Sequence, residues 1–412
     1  MSKELVFKTA SDIYSKITDG THDSPKQKEL GKPLITSKHI KGRNIDFDKA
    51  YLISEEDFDK INLRSKVDTW DVIVSMIGEY CGFCYIERNE IIDYAVKNVG
   101  LYKAETELEA NWLYYYLISP IGKSYLNSVK SGSSQPYLTL GGLRKLPILQ
   151  PSSNTEKIKI VKVLSDLDAK IELNNKINTE LEAMAKLIYD FWFVQFDFPD
   201  ENGKPYKSSG GKMVYNEDLK REIPAGWEVG TLLEIANFQN GLACQKYRPI
   251  NNDFLRVIKI KDMKEGFSEK TEKVRPDVPD KIKIFNGDIL FSWSASLEVI
   301  QWSGGKGALN QHIFKVTSEI YPKSYYYFEL LNYLQHFKMM AELRKTTMGH
   351  ITQEHLKQSR IVIPPKKIIN KLESVINPIL EKVNKNKIEN QKLAELRDWL
   401  LPMLMNGQVK VN

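Results

Sequence analysis

The sequence predicts an α+β protein made of two tandem α+β modules separated by two long helices. The helices are expected to pair as an intramolecular coiled coil, drawn here as antiparallel and hence in a pseudo-twofold arrangement. Three observations predict this. The 412-residue chain repeats itself at a shift of 212 to 213 positions. Each copy opens with short β-branched and aromatic runs broken by Gly, Pro, Ser and Asn, which is the pattern of strands and turns in a mixed fold. Each copy then runs into a heptad pattern.

The repeat is carried by an ordered set of matches. Tyr137-Leu138-Thr139 falls on His350-Ile351-Thr352, Leu143 on Leu356, Ile148-Leu149 on Ile361-Val362 and Pro151 on Pro364. Upstream, Trp112-Leu113-Tyr114-Tyr115 falls on Tyr325-Tyr326-Tyr327-Phe328, and Asp71-Val72-Ile73-Val74-Ser75 on Asp288-Ile289-Leu290-Phe291-Ser292 at a slightly larger shift. Apolar strands resemble one another, but a common order at a nearly constant offset identifies a duplication.

The first module, residues 1–151, carries strand-like runs at Leu34-Ile35, Val72 to Val74 and Cys84 to Ile86, and an aromatic helical stretch at Asn111 to Val129. Residues 152–197 form the first spacer helix. Positions 160, 164, 167, 171, 174, 178, 181, 185, 188 and 192 keep an unbroken 4-3 spacing and read Ile, Leu, Leu, Ile, Asn, Asn, Leu, Ala, Ile, Trp. Residues 198–225, with Pro199, Gly203, Pro205, Gly210, Gly211 and Pro224, have linker composition. The second module, residues 226–365, repeats the plan with Val257-Ile258, Ile289 to Phe291, Ile313-Phe314 and a helical stretch at Tyr325 to Leu343. Residues 366–412 form the second spacer helix, in which adding 212 recovers the seam as Leu372, Ile376, Ile379, Val383, Asn386, Asn390, Leu393, Arg397, Leu400 and Leu404.

The asparagines are the informative part of that seam. A buried amide costs stability unless it finds a partner, and it fixes register when it does. Antiparallel pairing would bring Asn174 to Asn390 and Asn178 to Asn386; parallel pairing would also match Asn with Asn. Pro378 is expected to kink or restart the second helix, and Arg397 on the seam to open its far end. At about 1.5 Å per residue a helix from Ile160 to Trp192 is roughly 50 Å long, a ruler suited to a split site on a double helix with its own local twofold symmetry.

Composition bounds the function. With 42% hydrophobic residues the chain can build real cores. No apolar run approaches the roughly 20 residues of a membrane span, and Met1 to Ala10 lacks the apolar stretch of a secretory signal. Three cysteines make no disulfide framework, which agrees with a reducing compartment, so a cytoplasmic location is expected. Cys81-Gly82-Phe83-Cys84 reads as a structural pair, because no helix lowers its thiolate pKa and the second copy lacks it. The six histidines show no metal-ligand spacing shared between the copies, and neither Gly-rich stretch, Ser208 to Lys212 or Ser303 to Gly307, has the order of a nucleotide loop. No metal, no cofactor and no catalytic site is expected in this chain.

A net charge of +6 does not by itself identify a nucleic-acid binder, and the first module is neutral overall while the second is +4. Local grouping carries the argument. In the first module Lys26, Lys28, Lys38, Lys41 and Arg43 lie in a window with few acids; in the second, Arg256, Lys259, Lys261 and Lys264 oppose only Asp262. Such clusters neutralise phosphates. A second candidate is the loop after the aromatic helix, Lys130, Ser131, Ser133, Ser134 and Gln135 in the first copy and Arg344, Lys345, Thr346 and Thr347 in the second. Short hydroxyl, amide and basic groups there can reach phosphates and base edges. Tyr114, Tyr115, Tyr326 and Tyr327 are expected to be core residues.

These features resemble a known family, the specificity subunits (HsdS) of type I restriction-modification systems. The resemblance spans nearly the whole chain. It rests on Ile17-Thr18-Asp19-Gly20-Thr21-His22, on Gly203-Lys204-Pro205-Tyr206-Lys207-Ser208-Ser209-Gly210-Gly211, on Ile223-Pro224-Ala225-Gly226-Trp227-Glu228, and on the Leu-Pro-Ile-Leu-Gln-Pro and Ile-Val-Ile-Pro-Pro segments that lead into the two helices. It implies that each module is a target recognition domain reading one half of a bipartite site in double-stranded DNA. The helices would then form an antiparallel spacer that sets the gap and docks two modification (methyltransferase) subunits, with restriction subunits as further partners. S-adenosylmethionine and ATP would belong to the partner subunits. The second module has Asn240-Gly241-Leu242-Ala243 where the first has Asp-Gly-Thr-His, so no contact at His22 is carried across. The alternatives are a coiled-coil scaffold with two protein-binding modules and a fused restriction-methylation enzyme, the latter disfavoured by the lack of a nucleotide or methyl-donor loop.

Overall fold

The computed structural model describes residues 5–132, 134–343 and 350–411. They divide into two compact units, Met1–Lys170 with Leu393–Asn412, and Ile171–Lys392. Each unit therefore takes one α+β module and a share of both long helices, Asn154–Tyr189 and Lys366–Met405.

In the first unit an antiparallel pair, Leu5–Thr9 with Pro147–Pro151, joins the start of the module to its end. A four-stranded antiparallel sheet follows in the order Ile17–Asp19, Val99–Tyr102, Val72–Ser75, Cys84–Ile86. A three-stranded sheet orders Tyr51–Ile53, Lys32–Thr36, Ala95–Lys97, the last two parallel. The fully buried runs Val72 to Ser75 and Val99 to Tyr102 are covered by the aromatic helix Glu107–Ile118, whose Trp112, Tyr115 and Tyr116 have no exposed surface. Pro120 ends that helix: Ser119 caps a new one, Pro120–Ser128, and Gly122 is required because a Cβ there would lie 1.9 Å from the Tyr116 carbonyl oxygen.

The second unit repeats the terminal pair and the four-stranded sheet, but its other sheet has four strands, Lys273–Val274, Leu255–Ile258, Gly307–Leu309, Lys283–Ile284, and the short helix Ile260–Glu265 stands where the first unit has the hairpin of Ile40–Lys41 and Asn44–Ile45. Glu228–Thr231 pairs with Arg360–Ile363. The four-stranded sheet runs Asn237–Asn240, Ile313–Thr317, Ile289–Ser292, Glu298–Gln301. Leu255–Ile258 and Gly307–Leu309 supply the parallel pair. The aromatic helix here is one piece, Lys323–Leu343, since no proline interrupts it. Tyr114, Tyr115 and Tyr326 are buried and Tyr327 packs half-buried on the core, as expected of core residues.

The stretch with linker composition is ordered. Phe198 stacks between Tyr206 and Trp227, at ring-centroid distances of 4.6 and 5.0 Å. The Asp197 carboxylate accepts bonds from the Ser208 backbone and hydroxyl, and Met213–Asn216 pairs with Arg221–Pro224 as a hairpin. Gly203 and Gly210, at φ +78 and +88, make exposed turns in this segment.

None of the expected seam positions is exposed. Within the second unit the pairing is antiparallel. Asn174 Nδ2 donates to Asn390 Oδ1 at 2.9 Å, and Asn386 Nδ2 to Asn178 Oδ1 at 2.9 Å. Lys387 and Glu182 close the same face at 2.7 Å. In the first unit Leu401 and Leu404 pack with Ile160 and Leu164.

Two expectations about the second helix concern Pro378 and Arg397. The helix runs unbroken from Lys366 to Met405, so it does not restart at Pro378. Pro378 and Ser374 both face outward, so water can serve the Ser374 carbonyl that loses its helical partner, while Ile376, Leu380 and Val383 hold the buried side. Arg397 does not open the seam either. Its guanidinium Nη1 lies 2.7 Å from the buried Asp168 carboxylate on the first helix.

Candidate nucleic-acid interface

The Asp19-Gly20-Thr21-His22 corner of the first module is held by its backbone. Gly20 N donates to Val99 O at 2.8 Å and Thr21 N to Val96 O at 3.0 Å. A Cβ on Gly20 would meet the Val96 carbonyl oxygen at 2.6 Å, so only glycine fits there. The Asp19 carboxylate, 4% exposed as a residue, takes Arg64 and His22 Nε2, the latter at 3.0 Å, while His22 Nδ1 lies 3.2 Å from Asn98 Oδ1. Asn98 sits at φ +55, and its carbonyl receives Met76 N at 3.3 Å. Leu138 N in turn donates to Met76 O at 2.8 Å, and Gly78 N to Pro136 O at 3.0 Å. Backbone bonds therefore tie the motif corner to the Met76–Gly78 turn, and that turn to Pro136 and Leu138.

The second module builds the same frame from other side chains. Gly241 N bonds Ile313 O at 3.1 Å, Leu242 N bonds Leu309 O at 3.1 Å, Trp293 N bonds His312 O at 3.3 Å and Ile351 N bonds Trp293 O at 2.9 Å. These four bonds put Gly241, Leu242, Trp293, His312 and Ile351 where the first module has Gly20, Thr21, Met76, Asn98 and Leu138. Ala243 takes the place of His22. In this corner Trp293 Nε1 donates to Asn240 Oδ1 at 3.0 Å, and the indole packs against His312 and His350 at 5.5 and 5.4 Å. The two loop clusters share a backbone and differ in chemistry.

The basic candidates divide by environment. Lys26 and Lys28 line a hollow with Thr21, Ser24, Lys60 and Arg64. Lys38 is exposed in the short turn Ser37–His39, and Lys41 places Nζ 3.4 Å from the centre of the Tyr80 ring. Lys130 reaches the same turn region, with Nζ 3.4 Å from the place of a Cβ on Gly82. Ser131 exchanges backbone bonds with Tyr137 at 2.9 Å, and Ser134 and Gln135 are exposed on that loop. Ser133, Arg344, Lys345, Thr346 and Thr347 lie outside the described residues.

In the second module Lys261 and Lys264 sit at the positions of Lys38 and Lys41. The match is set by the turn that follows each parallel strand, where Thr36 N bonds His39 and Lys259 N bonds Asp262. Lys259 pairs with Glu272 at 2.7 Å, Lys261 with Glu265 at 3.5 Å and Lys264 with Glu298 at 2.7 Å, while the Arg256 guanidinium lies 5.5 Å from the Phe267 ring centre. The expectation that only Asp262 opposes this cluster is therefore corrected, because Glu265 on the same short helix, Glu272 in the following loop and Glu298 on a more distant strand supply partners. Arg43 lies 2.6 Å from the buried Asp168 Oδ2, with its side chain 19% exposed.

Sequence reasoning missed Arg64, Asn98, Trp293 and His312. The repeat alignment stopped at Ser75 and Ser292; one residue further it would have flagged Met76 and Trp293. Cys81 and Cys84 are buried, and desolvation pushes Cys84 up to about 12, so both are inert structural thiols as expected.

A duplicated module that presents different side chains on one repeated loop frame is the design of a two-part recognition protein. Residues 7–183 and 224–398 match the family of the type I restriction modification DNA specificity domain, and the chain belongs to that family. It is 28% identical over 313 residues to the type I restriction enzyme MjaIX specificity subunit of Methanocaldococcus jannaschii, covering 73% of this chain and 69% of that one. It is 24% identical over 407 residues to the HindI specificity subunit of Haemophilus influenzae, covering 84% and 88%. Its fold matches the crystal structure of the type I restriction-modification S subunit from M. genitalium with a TM-score of 0.59, at 13% identity and over 97% and 96% of the two chains. Among the described residues no helix is long and apolar enough to cross a membrane.

Proposed function

We propose that this chain is the DNA-specificity subunit of a type I restriction-modification complex, and that each module reads one half of a bipartite duplex site through its corner and loop surface. The observation that carries this reading is the repeated backbone frame with exchanged side chains. One frame gives one docking geometry on the duplex, and different corner groups, Asp19, His22 and Asn98 against Asn240, Trp293 and His312, give each half its own sequence. Lys26, Lys28, Lys38, Lys41 and Lys130 in the first module supply the salt-dependent phosphate attraction; in the second, Arg256 does so with Lys259, Lys261 and Lys264, whose exposed ion pairs are weak and exchange for phosphates. The paired helices set the unread gap and dock two modification subunits. S-adenosylmethionine and ATP are bound by the modification and restriction subunits of the complex, which acts in the cytoplasm.

The test is methylome sequencing of cells that express this chain with its modification subunits. The expected result is one bipartite motif with a fixed gap, of which exchanging residues 130–137 alters one half only. A single continuous motif, or no motif that depends on this chain, would overturn the proposal.

A further inference from the structure

One buried carboxylate in the first unit bonds both a hairpin of the module and a residue of the seam. Asp168 lies on the first long helix and is 1% exposed. Its Oδ2 takes Arg43 Nη1 at 2.6 Å and the Tyr115 hydroxyl at 2.6 Å, and its Oδ1 takes Arg397 Nη1 at 2.7 Å. The three donors come from three places: a hairpin tip, the aromatic helix and the second long helix. Arg43 is the second residue of the two-residue turn, after Gly42 at φ +69, that joins Ile40–Lys41 to Asn44–Ile45. The exposed lysines Lys38 and Lys41 ride on that hairpin, so its tip is pinned to a helix outside the module.

The second module secures the matching lysines differently. Lys264 bonds Ser296 at 2.9 Å and Glu298 at 2.7 Å, and Asp262 bonds Thr271 at 3.0 Å, all partners inside the module. Leu380 stands 212 residues beyond Asp168.

We propose that Asp168 is a positioning residue for the first half-site. Through Arg43 it fixes the hairpin that presents Lys38 and Lys41, and through Arg397 it makes that placement depend on the second long helix. This rests on the DNA-specificity reading above. A charged pair with hydrogen bonds at both carboxylate oxygens holds geometry tightly, and removal of one member leaves the others buried and uncompensated. The consequence is directional: a residue lying beyond the second module controls reading by the first.

The experiment uses the complex of full chain and modification subunits. Methylation rates are measured on duplexes with single-base changes in either half-site, and photo-crosslinkers at position 38 or 261 assign each half to its module. Arg397→Gln and Asp168→Asn are expected to lower discrimination in the first half-site about tenfold and to leave discrimination in the second unchanged. Asp168→Glu should restore most of it. Arg397→Gln, which removes a group whose side chain is 19% exposed and leaves Arg43 paired with Asp168, keeps the test valid if Asp168→Asn fails to assemble. Equal loss in both halves at a lowered melting temperature would mean a merely structural role and overturn the inference. So would unchanged discrimination in both. If the unmodified complex shows no bipartite discrimination, the DNA-specificity reading fails first, and that outcome is distinguishable from the other two.

Discussion

Glu329 is the clearest case of one residue held against its own chemistry. It lies on the aromatic helix of the second module and is raised by burial from 4.5 to about 7, with the hydrogen bond it accepts from the Tyr189 hydroxyl and then the Arg221 charge opposing the shift. A carboxyl whose folded pKa lies above its unfolded value favours folding most where it keeps its proton. Its contribution is therefore fully present below about pH 4.5 and is lost as pH rises through about 7. Glu329→Gln should remove this component and stabilise the chain at pH 8 by on the order of 3 kcal/mol, with little effect at pH 5. Denaturant midpoints at pH 5, 6, 7 and 8 measure it; a variant that follows the same pH curve as the parent would refute the assignment.

The helix pair shows how an element can trade stability for register. Asn174 and Asn390 bond each other and also reach Glu389 and Asn175, whereas Asn178 and Asn386 share one bond and leave Asn178 Nδ2 and Asn386 Oδ1 without a partner among the described residues. The inner pair thus carries a cost that only specificity explains. Asn178→Leu alone should destabilise by about 1–3 kcal/mol, because Asn386 would stay buried with no amide to meet. Asn178→Leu with Asn386→Leu should recover that loss or exceed it. Chemical denaturation of the three chains decides between them, and a double variant less stable than the single one would show that the pair contributes net stability.

At the scale of the whole molecule, the spacer role proposed for the helices makes a length prediction. Deleting one heptad from each helix at matched seam positions removes about 10 Å, close to three base pairs at about 3.4 Å each. The expected methylation motif keeps both half-site sequences and loses about three base pairs from its gap. An altered half-site sequence with an unchanged gap would mean that the helices are not the ruler.

How much of this was legible in the sequence follows from how far apart the determining residues lie. Hydrophobic period and repeat order sufficed for the α+β class, the duplication, the two long helices and the four asparagines, because these depend on spacing along one segment. The direction of the helix pair did not follow, since Asn matches Asn either way; the distances from Asn174 to Asn390 and from Asn178 to Asn386 decide it. The order of the segment after Phe198 was hidden behind its glycines and prolines, whose turn-forming geometry serves a packed hairpin as well as a tether. The candidate site was half legible. Basic clusters and loops could be found, but Lys259, Lys261 and Lys264 turned out paired. Arg43, grouped with Lys38 and Lys41 by adjacency, bonds Asp168, 125 positions away. Sequence determined which elements form and that they form twice, because local periodicity sets the face each element buries. Only the tertiary structure decided which charges remain available, because an ion pair is fixed by closeness in space, and chain separation says nothing about it.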